Sequence, residues 1–202
     1  MNLLEKKNLL TLAQMFVFSA VVGYIYEVIF YYFDMGKIIN RGTTFGPWIP
    51  IYGFGTVFIT LICYRFIKKP FVVFLIGCIV SCLVEFLSGY VIFHAFNTRL
   101  WDYNVEILNF GNVGGYICLR SVLLFGISSF LLLYFVLPFF EKINSKNNKY
   151  INAISVILFG LFVFDILLSG IFLIIKWQKV IFFFWYFKKV WYYSKMIIEI
   201  AL

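Results

Sequence analysis

The chain has 202 residues, of which 63% are hydrophobic and 13% are charged, and its formal net charge at pH 7 is +8. Soluble domains are nearer half apolar and a quarter charged, so this composition excludes a soluble globular domain. It also excludes intrinsic disorder, because a disordered chain cannot expose this much apolar surface to water. At about 20 apolar residues per crossing, the length allows five or six spans with short loops. The sequence therefore predicts a small all-α, polytopic helical membrane protein.

Apolar runs separated by charged or turn-forming residues predict five transmembrane helices. In chain order, these runs cover residues 9–33, 51–66, 71–95, 113–140 and 151–175. None of them shows the period-two alternation of a membrane β-barrel. The last segment begins at Lys176 and is rich in aromatic residues, but lysines interrupt it at positions 188, 189 and 195. It is either a helix lying at the membrane surface or a sixth span.

The basic residues predict which way the helices run. With the N-terminus inside, three inner segments carry eight Lys or Arg residues, whereas the outer loops carry only Lys37, Arg41 and Arg99. Cytoplasmic loops carry the excess of Lys and Arg, so we expect a cytoplasmic N-terminus in a multi-pass protein of the cell membrane. The net positive charge is then explained by topology and by contact with anionic lipid, and no nucleic-acid partner is predicted.

The segment after the first span, residues 40–55, contains four glycines and two prolines and cannot form a regular helix. Non-helical backbone at membrane depth is tolerated only where protein or a cavity covers it. We therefore expect a re-entrant loop whose free N–H groups face a polar ligand. The four cysteines and the single histidine, His94, do not form a zinc-binding pattern, so neither a metal site nor a cofactor is predicted.

Four charged residues fall well inside the apolar runs, away from their ends: Glu27, Glu85, Arg120 and Asp165. Charged groups in the hydrocarbon are costly and usually functional, and the helical rise places these four at similar depths in the outer half of the bilayer. They predict one polar site in which Arg120 is the natural counter-charge for a carboxylate. The alternative is a buried ion pair that only fixes the packing, and for Asp165 that alternative is as strong as a functional role.

The outer loops add candidate substrate-binding residues to this site, namely Arg41, Trp101, Asp102, Tyr103 and Asn112. An arginine can contact a carboxylate or a phosphate, and a carboxylate can bind a cation or relay a proton. Trp101 and Tyr103 have an alternative role as anchors at the membrane interface. No catalytic residue is assigned, because the sequence lacks a nucleophile with a base beside it.

Several motifs in the first two thirds of the chain resemble one known family. They are GYIYE at residues 23–27, NRG at 40–42, GPWIPIYGFG at 46–55, Glu85, WDY at 101–103, and GYICL at 115–119 with Ser121 and Gly126. The chain is similar to the CmpB-type ABC-transporter permease family, also described as ABC transporter type IV, of bacterial multi-span proteins. It departs from the family pattern at Asn104, Gly114 and Phe125, where Ser, Asn and Trp are usual.

The matching motifs end at about residue 140, so we expect the chain to consist of two parts. Residues 1–140 form a four-helix membrane core, and residues 141–202 add a further transmembrane helix and the basic-aromatic C-terminal helix. The family also implies a permease subunit. Since the sequence has no G-x-x-x-x-G-K-[ST] loop, a separate ATPase subunit would supply the energy.

Three functions remain open on the sequence alone. The favoured one is a permease subunit with a polar substrate or ion site, embedded in the lipid bilayer and partnered by an ATPase, with a homo-oligomer as a further option. The alternative is a membrane-embedded enzyme acting on a lipid or lipid-linked substrate, with carboxylates as general acid and base. The third is a scaffold subunit whose buried charges only specify assembly.

Overall fold

The computed structural model describes residues 6–42 and 44–172 of the chain. They form helices α1 (Lys6–Met35), α2 (Pro50–Cys63), α3 (Pro70–Phe96), α4 (Leu119–Leu131), α5 (Leu137–Ser145) and α6 (Lys149–Phe172). A π-helical stretch, Leu132–Val136, joins α4 and α5 into one continuous helix. Residues 6–42 and 44–172 contain one isolated bridge, between Val113 and Ile117, and no strand.

The helix lengths and their apolar surfaces confirm the predicted all-α membrane architecture. Four helices are long and apolar enough to cross a bilayer: α1, α3, the continuous helix through α4 and α5, and α6. With 14 residues, α2 is only about 21 Å long, against a hydrocarbon core of about 30 Å. The predicted C-terminal surface helix or sixth span, from Lys176 onwards, lies outside the described residues.

The segment between α1 and α2 reaches back to the middle of α1. The N–H of Ile49 donates to the carbonyl oxygen of Ala20 in the middle of α1, at 3.0 Å. Ala20 lies about 22 Å back along the axis of α1 from Met35, by the rise of 1.5 Å per residue. Residues 36–42 and 44–49 therefore run back beside α1 as irregular backbone, as the predicted re-entrant loop would. The chain then continues as α2 towards the opposite end, where Ile59 packs against Met15.

Small residues allow α3 and α4 to pack closely. A Cβ atom built on Gly77 would collide with the side chain of Ser129, and one on Gly126 would collide with side chains of α3. Helices in membranes approach each other most closely where such small residues meet. This contact brings Glu85 of α3 beside Ser121, in the first turn of α4.

The fourth helix begins later than the sequence predicts. We expected it from about Val113, but residues 113–118 form turns and α4 begins at Leu119. The reason is that Gly114 and Gly115 have φ values of +61° and +80°, which no α-helix contains. Arg120 consequently lies in the first turn of α4 and not, as expected, about 10 Å or two turns below the start of that span.

Candidate functional site

A polar cavity of about 60 Å³ lies between α1, α2, α3 and the start of α4. The connecting segment between α3 and α4, residues 97–118, closes one side of it. Six of the nine predicted site residues line this cavity: Glu27, Arg41, Glu85, Trp101, Tyr103 and Arg120. The volume is enough for a few water molecules or for a small polar group.

Glu27 of α1 is held by an arginine and a tyrosine. Arg41 Nε donates to Glu27 Oε2 at 3.0 Å, and the Tyr52 hydroxyl donates to Oε1 at 3.2 Å. Tyr52 can cross over α1 at this level because Gly23 leaves room for its ring, where a Cβ atom would collide. The site therefore depends on the irregular segment, which supplies Arg41, and on the position of α2, which supplies Tyr52.

Glu106, from the segment between α3 and α4, is held in the same way. Arg120 Nη2 donates to Glu106 Oε2 at 2.8 Å, and the Tyr31 hydroxyl donates to Oε1 at 2.5 Å. Arg41 Nη2 also donates to the Tyr31 hydroxyl, at 3.2 Å, so the two carboxylates belong to one hydrogen-bonded network. The Arg120 guanidinium also stacks on the Phe30 ring, 4.1 Å from its centroid.

Glu85 of α3 is held by two hydroxyl groups and lacks an arginine. The Tyr103 hydroxyl donates to Oε1 and the Ser121 hydroxyl to Oε2, both at 2.8 Å. Burial, together with the neighbouring Glu85 carboxylate, raises the pKa of Tyr103 above its usual range, so Tyr103 remains a hydrogen-bond donor. Within residues 6–42 and 44–172, the three ion pairs do not include Glu85.

The three carboxylates of the cavity thus share one arrangement: in each of them, one oxygen accepts a hydrogen bond from a tyrosine hydroxyl. Arginine occupies the second oxygen of two of these carboxylates, and serine occupies that of the third. With all five groups ionised, three carboxylates and two guanidinium groups leave one negative charge in excess. Aromatic rings surround this charge, including those of Tyr26, Phe30 and Trp101.

Asp165 lies elsewhere, against the irregular segment that precedes α2. Its carboxylate accepts the N–H groups of Phe45 at 3.1 Å and Gly46 at 2.8 Å, and the indole N–H of Trp48 at 2.6 Å. Ser169, one turn further along α6, donates to the same carboxylate at 3.3 Å. The prediction that Asp165 shares one site with the other intramembrane charges is therefore wrong. The N–H groups of Phe45 and Gly46, which we expected to face a ligand, are bound by Asp165.

Asp102 and Asn112 organise the segment between α3 and α4 and do not line the cavity. Asp102 Oδ1 accepts the backbone and side-chain N–H groups of Asn104, at 3.0 Å and 2.7 Å. Asn112 donates to the Asn104 side chain at 2.8 Å and accepts the N–H of Gly115 at 2.8 Å. These bonds hold the turn that carries Trp101 and Tyr103 into the cavity.

Glu106 was not among the predicted site residues, because it lies outside the apolar runs and outside the WDY motif that pointed to Asp102. Glu106 lies in a connecting segment, yet only 7% of its surface is exposed. One signal was available: Glu106 is the only acidic residue between Asp102 and Glu141, and thus the nearest carboxylate in sequence to Arg120. The hydroxyl partners Tyr31, Tyr52 and Ser121 gave no comparable signal, because such residues are common in membrane helices.

The fold and this cavity define a helical membrane protein with buried charges gathered around one polar site. A family model described as "Putative ABC-transporter type IV" matches residues 14–170, and the chain belongs to this family. The match continues past residue 140, where the recognised motifs end, and so includes α6 and Asp165. No curated protein and no solved structure matches the chain at a significant level. Family and fold together identify the chain as a membrane component of the transporter type.

Proposed function

We propose that the chain is the permease subunit of an ABC-type transporter and that the polar cavity is its substrate or ion site. In this proposal the N-terminus is cytoplasmic, the cavity lies in the outer half of the cell membrane, and a separate ATPase subunit supplies the energy. The family match supports the transporter role. The three carboxylates and two arginines that meet at one buried cavity support the location of the site.

The observation that carries the proposal is the uncompensated carboxylate of Glu85. Glu27 and Glu106 each have a guanidinium partner, whereas Glu85 has only the hydroxyl groups of Tyr103 and Ser121. A buried charge without a counter-charge is costly. A cation or an ammonium group that enters the cavity supplies this counter-charge, so the cavity favours a positively charged occupant.

The segment between α3 and α4 closes one side of the cavity and, in this proposal, opens to admit the substrate. It contributes Trp101, Tyr103 and Glu106 to the lining, and its contacts with the helices include the bonds to Glu85 and Arg120. If this segment moves outward, both bonds open together and the cavity faces the outer surface. We therefore assign residues 97–118 the role of an outer gate in alternating access.

Two measurements test the proposal. The first is mass spectrometry of the proteins that co-purify with the tagged chain in native lipid discs, where a stoichiometric ATPase is expected. The second is calorimetric titration of the discs with methylammonium. Glu85→Gln should lower the affinity at least tenfold, whereas Glu141→Gln, which changes a glutamate of α5 away from the cavity, should leave it unchanged.

Either of two results would contradict the proposal. One is methylammonium affinity that is equal in the wild type and in Glu85→Gln, which would remove the assigned role of Glu85. The other is recovery of the chain without an ATPase, together with conversion of a lipid substrate by the purified chain. That second result would favour the membrane-embedded enzyme.

A further inference from the structure

A second cavity, of about 360 Å³, opens between α1, α2, α4 and the π-helical stretch. We call it the apolar pocket, and its walls include Phe18, Val22, Gly55, Ile59, Leu131 and Leu132. It shares Tyr26, Tyr52, Leu124 and Phe125 with the polar cavity. The two spaces therefore adjoin, one lined by charges and the other by hydrocarbon.

One polar group in the apolar pocket has no partner. The Ser19 hydroxyl lines the pocket and makes no hydrogen bond within the described part of the chain, although only 9% of the Ser19 surface is exposed. An unsatisfied hydroxyl in a membrane interior is unfavourable, and buried hydroxyls in proteins nearly always have a partner. The apolar walls suit a hydrocarbon chain, and ordered water that enters beside such a chain would satisfy the Ser19 hydroxyl.

We propose that the transported molecule is a single-chain amphiphile with an ammonium end, whose hydrocarbon chain lies in the apolar pocket while its ammonium group binds at Glu85. This inference rests on the proposed function, since it names the chemical class of the occupant of the polar cavity. The excess negative charge and the aromatic rings favour an ammonium group as the polar end. Arg120 Nε and Nη1, which are buried in the lining of the polar cavity without a partner among the described residues, can donate to water or to a hydroxyl group beside it. The volume of the apolar pocket lies within the range of 300–1,000 Å³ that is typical of ligand pockets.

The geometry of α2 offers a way to block the apolar pocket without disturbing the polar cavity. A Cβ atom built on Gly55 meets no atom within 4 Å, and Gly55 lines the apolar pocket, so a leucine there should fill part of this pocket. Gly160, on an exposed face of α6, also has open space around its Cβ position and lines neither cavity. Gly55→Leu and Gly160→Leu thus form a matched pair, because both make the same change within a helix.

The experiment compares three probes by calorimetry in lipid discs, with empty discs titrated in parallel to subtract partition into lipid. Methylammonium carries the head alone, decylammonium adds the hydrocarbon chain, and decanoate carries a similar chain with the opposite charge. We expect decylammonium to bind the wild type at least tenfold more tightly than methylammonium, and decanoate not to bind. Gly55→Leu should remove this advantage and leave the methylammonium affinity unchanged, while Gly160→Leu should behave as the wild type.

The outcomes separate this inference from the proposed function. If methylammonium binds and depends on Glu85, but the chain adds no affinity or Gly55→Leu has no effect, the inference fails and the proposed function stands. If neither ammonium probe binds, both fail. If decanoate binds as tightly as decylammonium, the polar end of the bound molecule need not be an ammonium group, and the inference fails. Native mass spectrometry completes the test, because a dimer that Gly55→Leu dissociates would show that a second copy of the chain occupies the pocket.

Discussion

Asp165→Asn should destabilise the protein strongly without altering the polar cavity. Each carboxylate oxygen of Asp165 accepts two donors: Oδ1 those of Phe45 and Ser169, and Oδ2 those of Gly46 and Trp48. An asparagine keeps one oxygen and turns an NH₂ group towards the donors of the other. Two bonds to a charged acceptor are then lost at about 1.5–3 kcal/mol each, which gives a loss of stability of about 3–6 kcal/mol.

The assay is thermal unfolding in discs of one lipid composition, with Asp34→Asn as the control. Asp34 accepts a single N–H, that of Ile107 at 2.8 Å, in an exposed position. For a chain of this size, 1 kcal/mol corresponds to a shift of about 2–4 °C, so Asp165→Asn should lower the midpoint by on the order of 10 °C. Equal midpoints for the two variants would refute the structural role of Asp165. Loss of methylammonium affinity in the folded Asp165→Asn protein would show that Asp165 contributes to binding at the polar cavity.

Three further changes test the network around the cavity. Glu106→Gln should lower stability by about 3–5 kcal/mol in thermal unfolding because it leaves Arg120 buried without its carboxylate, and adding Arg120→Met should recover at least half of the loss. If Arg120→Met does not restore stability, the loss in Glu106→Gln does not arise from an unpaired Arg120. Gly23→Ala should displace the Tyr52 ring and cost about 1–3 kcal/mol, which unfolding measures; an unchanged midpoint would mean that the ring yields without strain. Since the pKa of Tyr103 is raised by burial and by Glu85, its contribution to stability should be complete below the free-tyrosine pKa of about 10 and decrease above it. The unfolding temperature should therefore fall less between pH 8 and pH 11 in Tyr103→Phe than in the wild type. An identical fall in both proteins would show that Tyr103 does not cause the pH dependence.

Much of the helical architecture could be predicted because apolar runs and their boundaries are local features. Pro50 and Pro70 stand at the first positions of α2 and α3, where a missing N–H costs nothing. The start of α4 could not be predicted in this way. Residues 113–118 are as apolar as the helix that follows, and only the backbone conformation of Gly114 and Gly115 separates the two.

Only some residues of the candidate site could be predicted, and the physical reason why differs from residue to residue. Glu27, Glu85 and Arg120 could be found because a charge inside an apolar run is rare. Glu106 was harder to find, since its burial arises from the fold of a connecting segment and its one sequence signal is that it is the acidic residue nearest to Arg120. Asp165 was placed in the site by its depth alone, and depth does not say which side of a helix faces which neighbour.

The division of roles among the acidic residues follows from the donors that surround them. Asp165 accepts the N–H groups of Phe45 and Gly46 and the indole N–H of Trp48, so its charge holds an irregular segment in place. Glu27 and Glu106 meet arginines, and each pair neutralises itself. At Glu85, Ser121 takes the place that an arginine has at the other two glutamates. Its hydroxyl satisfies the hydrogen bonding of the carboxylate but does not neutralise its charge. When ionised, this third carboxylate leaves the cavity with an unneutralised charge, and the cationic occupant that we propose rests on it.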